Sequence, residues 1–174
     1  MKHPLHQFRY CPKCGSPRFV EHNAKSKHCE VCGFTYYLNP SAATVALIEN
    51  ERGEWLCVRR AKEPARDTLD LPGGFSDLDE TSEEGVIREV KEETGLDVDK
   101  VEFLFSLPNR YVYSGFTVHT IDVFYRCHVS DTNVARAADD AAELLWLRPE
   151  GIRPEDFGLL SVRKGVELLL KLLK

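Results

Sequence analysis

The period of apolar and polar positions changes several times along the chain, and each change marks an element. Ala43-Thr44-Val45-Ala46-Leu47-Ile48 is a short apolar run, which predicts a buried strand. Asn50-Glu51-Arg52-Gly53-Glu54 supplies hairpin turn chemistry, and Trp55 to Arg60 predicts a second strand. Ala61 to Pro72 is rich in charge and proline and predicts a loop. Thr81 with Glu84 three residues on forms a capping box, and Gly95 is a natural stop, so a helix is predicted from Ser82 to Thr94. At about 100° per residue, Val86, Ile87, Val90 and Thr94 share one arc, while Glu89, Glu92 and Glu93 share the adjoining arc around Gly85. Strand-like stretches follow near Val101–Ser106 and Tyr111–Val129, the latter interrupted at Ser114-Gly115, and again at Ala142–Leu147. Leu159, Val162, Val166, Leu169, Leu170 and Leu173 then recur at helical spacing, so the tail should lay one face on the sheet. Mixed strands with two helices point to an α/β layered domain. Residues 1–38 stand apart from this pattern, joined to a second domain, 39–174, through the turn-rich Asn39-Pro40-Ser41.

Composition narrows the class. With 174 residues, 43% of them hydrophobic, the chain can fill a real core, which excludes a disordered protein. No apolar run approaches the ~20 residues of a membrane span. The opening Met1-Lys2-His3-Pro4-Leu5-His6 lacks the layout of a signal peptide, so a cytoplasmic, membrane-free protein is expected. A net charge of −5 argues against nucleic acid as a partner.

Four of the six cysteines form two pairs, Cys11-Pro12-Lys13-Cys14 and Cys29-Glu30-Val31-Cys32. This spacing suits a four-thiolate zinc site, in which two tight turns each supply two ligands, with Gly15 and Gly33 completing the turns. Four sulfur ligands leave zinc no open position, so the expected ion is structural. Residues 1–38 are too few to hold a core without it. Cys57 and Cys127 lie in strand-like stretches and are expected to be buried packing residues.

The acidic helix carries the chemistry. Glu89, Glu92 and Glu93 lie at i, i+3 and i+4 and repel one another, so the arrangement is either a solvated charged face or a hard-cation site. Gly85 in their midst would let a ligand approach the backbone. The wider pattern decides between these. Gly74, Glu80, Arg88-Glu89-Val90, Glu92-Glu93 and Gly95-Leu96 are separated by five, seven, one and one residues. That spacing matches every fixed position of the Nudix box, and the chain resembles the Nudix hydrolases from about Ala42 to Leu147. Arg59-Arg60-Ala61 and Leu71-Pro72-Gly73-Gly74-Phe75 also look like the family, whereas Leu69 stands where many members carry Trp.

The resemblance implies an α/β/α sandwich with a mixed sheet, preceded by a four-cysteine zinc ribbon. It also implies an enzyme that splits the diphosphate linkage of a nucleoside diphosphate derivative with Mg²⁺ or Mn²⁺. By position, Glu89, Glu92 and Glu93 would hold the metal, helped by the Gly73 carbonyl. Glu89 or Glu93 would deprotonate the attacking water, Arg88 would orient the acids, and Glu80 would be structural. Asp140 and, after it, Glu143 are the candidates for a further metal ligand from a loop before a late strand. Arg59 and Arg60 alternate faces of one strand, so at most one faces the phosphates, and Tyr111 and Tyr113 are candidates to stack on a base.

A ribbon ahead of such a domain is similar in layout to the NADH pyrophosphatases. Their motif Ser-Gln-Pro-Trp-Pro-Phe-Pro-x-Ser is matched only in part by Ser106-Leu107-Pro108-Asn109-Arg110-Tyr111-Val112-Tyr113-Ser114, which keeps both serines, the first proline and one aromatic but lacks the Gln, the Trp and the two later prolines. ADP-ribose, nucleoside triphosphates and dinucleoside polyphosphates stay open as substrates, and an adenine dinucleotide or ADP-sugar is favoured. The competing reading is a regulatory protein that senses a nucleotide and uses the ribbon, with Lys13, Arg18, Lys25 and Lys27, on nucleic acid. The ribbon is also a candidate for homodimerisation. Asp77 to Glu93 contains eight acids (Asp77, Asp79, Glu80, Glu83, Glu84, Glu89, Glu92, Glu93) against Arg88 and Lys91, which leaves the rest of the chain nearly neutral. The net charge is thus a local demand for cations.

Overall fold

The computed structural model describes residues 2–138 and 141–173. The chain divides into two units, Met1–Pro40 and Ser41–Lys174. In the first, β1 (Phe19–Asn23), β2 (Ser26–Cys29) and β3 (Thr35–Tyr37) form an antiparallel sheet in that order. Its buried apolar set is small: Cys11, Phe19 and Cys29 cluster with Cys32 and Phe34 against them, and Leu5 is also buried. The turns after Cys14 and Cys32 close through the Gly15 and Gly33 N–H groups, which donate to the Cys11 and Cys29 carbonyls at 2.8 and 2.9 Å. Both glycines have a positive φ, 73° and 72°, which lets each turn tighten around its cysteine pair.

The second unit is two three-stranded sheets between two helices. One sheet has the order β4 (Ser41–Leu47), β8 (Phe116–His128), β7 (Lys100–Tyr113). It is mixed, because β4 runs parallel to β8 while β7 is antiparallel to it. The other, antiparallel, has β6 (Leu69–Asp70), β5 (Trp55–Arg60) and β9 (Ala141–Leu147) in that order. Alternation along β4 and β5 divides the interior in two, as a period of two residues requires. Val45, Leu47, Trp55 and Cys57 pack with Val162, Val166 and Leu169 of α2 (Leu160–Leu172). Ala46, Ile48 and Leu56 pack with Val86 and Val90 of α1 (Ser82–Thr94). Helices on both faces of the strands give the α/β/α arrangement that the sequence predicts.

Helix α1 begins and ends where its caps dictate. Thr81 accepts from the Glu84 N–H, Glu84 accepts from the Thr81 N–H, and Gly95 closes the helix in the left-handed region. On the arc shared by Val86, Ile87, Val90 and Thr94, the part buried against the strands holds Val86, Val90 and Thr94, while Ile87 is 38% exposed. One expectation for this helix needs correction. Gly85 does not open the backbone to a ligand: a Cβ there would lie 3.0 Å from Glu80 Oε1 and 3.3 Å from Ser76 Oγ, so the glycine makes room for a carboxylate of the chain itself. Just past α2, Leu173 is 54% exposed, at the end of the tail beyond the buried face.

Strand β7 is longer than predicted and runs through Pro108, which pairs with Ile121. It is an edge strand in its sheet, where a missing N–H is tolerated. Ser114 and Gly115, both at positive φ (50° and 72°), form the hairpin turn. Cys57 and Cys127 are buried, and desolvation pushes each thiol up to about 12. Helix α2 meets the sheet at Gly165, where a Cβ would lie 2.3 Å from the Phe124 ring. Gly165→Ala should therefore destabilise the unit by about 1–3 kcal/mol, because helix or ring must move; urea unfolding measures it, and an unchanged midpoint would refute the contact. Among the described residues, no helix is long and apolar enough to cross a membrane.

Candidate active site

The loop after β6 runs along the edge of β4. Ala46 and Thr44 donate to the Pro72 and Gly74 carbonyls at 2.7 and 2.8 Å, and Ser76 donates to the Ala42 carbonyl at 3.1 Å. Helix α1 lies beside this loop, and the Gly73 N–H donates to Glu93 Oε2 at 3.0 Å. Side chains are excluded here. A Cβ on Gly73 would lie 2.1 Å from the Thr44 carbonyl oxygen, and one on Gly74 would lie 2.6 Å from the Glu89 carboxylate. The two glycines thus allow the loop to approach strand and carboxylates at once.

Arg88 organises the acids. Its guanidinium donates to Glu80 at 2.8 and 3.1 Å, to Glu89 at 2.9 Å, to Glu92 at 3.0 Å and to the Phe75 carbonyl at 2.9 Å. The planar fork reaches several acceptors at fixed angles, as an ammonium cannot. Arg88 holds the Glu80 carboxyl below the usual carboxylate range, and Glu80 in turn, more than any other neighbour, keeps the guanidinium charged. Glu80 therefore supports Arg88, and Arg88 fixes Glu89 and Glu92.

Glu89, Glu92 and Glu93 line one part of a cavity of about 560 Å³, together with Gly73, Gly74 and Asp77. That volume is in the range of small-molecule sites. Another part is lined by Asn109, Tyr111 and Tyr113 from β7, Thr120 and Asp122 from β8, and Arg60 and Asp70 from β5 and β6. Arg60 donates from Nη1 to Asp70 Oδ2 at 2.6 Å and from Nε to the Pro64 carbonyl at 2.7 Å. Burial pushes the Asp70 carboxyl up, and Arg60 opposes that shift. Burial, and then the charge of Asp122, also pushes the Tyr111 phenol up.

Of the two adjacent arginines, Arg60 lines this cavity. Arg59 points elsewhere: its Nε donates to Glu143 Oε2 at 3.1 Å and its Nη1 to the Asp67 carbonyl at 3.1 Å. Glu143 is exposed and outside the described cavity lining. The structure thus does not bring Arg59 and Glu143 into this cavity, since strand alternation and the β5–β9 register Arg59↔Glu143 turn the two toward each other. Asp140 lies outside the described residues. The sequence reading did not single out Asp70, Asn109, Thr120 or Asp122, all buried at the cavity. Polar residues alternating along strands beside a turn are the one local signal they carry.

In the first unit, one sulfur from each of Cys11, Cys14, Cys29 and Cys32 lies within 4.8 Å of the others. Cys11–Cys32 and Cys14–Cys29 Sγ separations are 3.7 and 3.6 Å. A tetrahedral ion with bonds of about 2.3 Å would space its sulfurs by about 3.8 Å, close to these values. The Cys32 N–H, then that of Val31, brings the Cys29 thiol down to about 6. The Ser16 backbone acts to lower Cys14, but the Cys32 sulfur, burial and the other two sulfurs carry it up to about 12. Four cysteine sulfurs at this spacing could hold a metal ion.

The sequence model of the NUDIX domain matches residues 39–164. The chain belongs to the NUDIX family. As a Nudix protein it is 36% identical over 113 residues to the ADP-ribose pyrophosphatase of Methanocaldococcus jannaschii, covering 63% of each chain. It is 32% identical over 108 residues to the NAD-capped RNA hydrolase NudC of Vibrio atlanticus, covering 61% of this chain and 39% of that one. The match thus spans less than two thirds of either relative. Among solved structures, a NUDIX hydrolase from Nitrosomonas europaea superposes with a TM-score of 0.73 at 20% identity, over 94% of this chain and 90% of that one, which shows a shared fold. Nudix hydrolases depend on divalent metal, and the oxygen-only donor set around Glu93 suits a hard cation.

Proposed function

We propose that this Nudix protein hydrolyses the diphosphate linkage of a nucleoside diphosphate derivative, with an adenine dinucleotide or ADP-sugar as substrate. The observation that carries the reading is the meeting of three carboxylates and the Gly73-Gly74 loop in the same cavity as Tyr111, Tyr113 and Arg60. An anionic linkage and an aromatic base need those two environments side by side. The names of the two relatives, an ADP-ribose pyrophosphatase and an NAD-capped RNA hydrolase, point to the same substrate class.

Glu89, Glu92 and Glu93 would hold Mg²⁺ or Mn²⁺, together with the Gly73 carbonyl. Bound there, the ion would neutralise phosphate charge and acidify a water. Glu89 or Glu93 would accept the proton of the attacking water, and Arg88, donating to Glu89 at 2.9 Å, holds that carboxylate in place. Arg60, anchored by Asp70, would give its remaining N–H donors to a phosphate or to the group beyond it. In the other unit, Cys11, Cys14, Cys29 and Cys32 would hold structural Zn²⁺.

Arg88→Lys should lower kcat/KM by about 10-fold or more, because one ammonium cannot replace the fork that spans Glu80, Glu89, Glu92 and Phe75; steady-state kinetics beside a melting curve separates this from unfolding. The function itself is tested by a panel of ADP-ribose, NAD, NADH, diadenosine polyphosphates and nucleoside triphosphates with Mg²⁺ or Mn²⁺. Turnover is expected for the diphosphate-linked adenine compounds. Binding without turnover of any of them would favour a nucleotide sensor instead.

A further inference from the structure

Asp122 is 4% exposed, yet three side chains from three elements donate to it. Asn109 Nδ2 of β7 gives its hydrogen to Oδ2 at 3.1 Å, Thr120 Oγ1 of β8 donates to Oδ1, and Ser161 Oγ of α2 donates to Oδ2. Asn109, Thr120 and Ser161 are themselves 5%, 3% and 0% exposed. Such a buried network is worth more than a packing role requires, and it has a directional consequence.

A carboxylate only accepts, so each partner must spend a hydrogen on it. The Thr120 hydroxyl has one hydrogen, and Asp122 takes it. Toward anything else in the cavity, Thr120 can only accept. The Asn109 amide is fixed at both ends, because its Oδ1 accepts from the Arg110 N–H at 2.9 Å while its Nδ2 faces Asp122. Turning the amide over would set oxygen against carboxylate and NH₂ against N–H. Its second Nδ2 hydrogen remains, so Asn109 presents a donor. Asn109 and Thr120 both line the cavity and are direct register partners across β7 and β8, which sets their Cβ atoms about 5 Å apart. Tyr111 and Tyr113 follow Asn109 at i+2 and i+4 on the same face of β7.

We propose that Asn109 and Thr120 form a base-reading pair for the edge of adenine, with Asp122 as the positioning residue that sets which of them donates. Adenine offers an acceptor at N7 beside a donor at N6, the complement of this pair. Hypoxanthine and guanine offer acceptors at N7 and O6, so O6 would meet the lone pairs of Thr120. For Thr120 to answer by donating, it would have to give up a charge-assisted hydrogen bond to a buried carboxylate. The discrimination is built into Asp122, although Asp122 need not touch the base.

The inference rests on the cavity being a nucleotide site but not on hydrolysis, so the test reads both. Calorimetric Kd values for AMP and IMP test base reading without turnover, and kcat/KM values for ADP-ribose and its inosine counterpart test it during turnover. The wild type should favour the adenine compound by about 10-fold or more in Kd, as for a mismatched polar pair. Asp122→Asn frees hydrogens at Thr120 and brings an NH₂ into the network, so the ratio should fall to within about 3-fold. Thr120→Val removes the acceptor, keeps the volume, and should also erase the preference; it guards against an Asp122 variant that fails to fold. Equal binding of AMP and IMP by the wild type, or an undiminished ratio in a folded Thr120→Val protein, overturns the proposal. A preserved AMP preference without hydrolysis supports base reading and overturns only the enzymatic reading.

Discussion

Glu93→Gln is expected to lower kcat by about 10³-fold or more while leaving the fold intact. Glu93 is 7% exposed and accepts the Gly73 N–H at 3.0 Å. Glutamine has the same length and keeps an oxygen for that hydrogen bond, so packing and loop position survive the change. What disappears is a negative charge at the place where the proposed reaction would hold a divalent cation and an attacking water. Single-turnover kinetics at saturating Mg²⁺ or Mn²⁺, beside a thermal melt, separates the two effects. The exposed Glu83 on the same helix is the control: Glu83→Gln should retain turnover. Full activity in a folded Glu93→Gln protein would remove this carboxylate from the chemistry.

Stripping the zinc proposed for the cysteine cluster is expected to unfold the first unit and spare the second. Cys11, Phe19 and Cys29 make up its buried apolar cluster, far short of what offsets the ordering of its chain. Structural zinc in comparable small modules contributes about 10–16 kcal/mol. Hydrogen exchange should therefore show amides of β1 and β2 losing protection after chelation, whereas those of β5, β8 and α2 keep it. Cys29→Ser should act in the same way without a chelator. Protection that persists in a chelated sample with no metal content would mean that the ribbon holds itself together.

The parts of this molecule legible in the sequence are those whose causes are local. Thr81, Glu84 and Gly95 bound α1 within a few residues of one another, and the Nudix box lies on that helix and the loop before it, so its geometry follows from spacing. Ser114-Gly115 announced a turn for the same reason. The base-reading cluster could not be read this way. Asp122 meets Asn109 through a strand register and Ser161 across 39 positions, and neither relation leaves a pattern in any short window. Arg59 and Arg60 illustrate the limit: alternation said that at most one of them faces the cavity, but which one depended on Glu143, 84 positions away. Ile87 marks a related limit, since periodicity gives the direction of an apolar arc and the partner surface decides how much of it is buried.

The Gly73-Gly74 loop, bonded along β4 and touching Glu93, belongs to one set of elements, while Asn109, Thr120 and Asp122 belong to another. Inheritance can act on these two sets separately. Substitutions in the β7–β8 hairpin would exchange one base for another without disturbing the carboxylates, whereas a side chain at position 73 or 74 would disable the reaction for every substrate. A lineage built on this scaffold would therefore diversify in what it recognises long before it changed what it does.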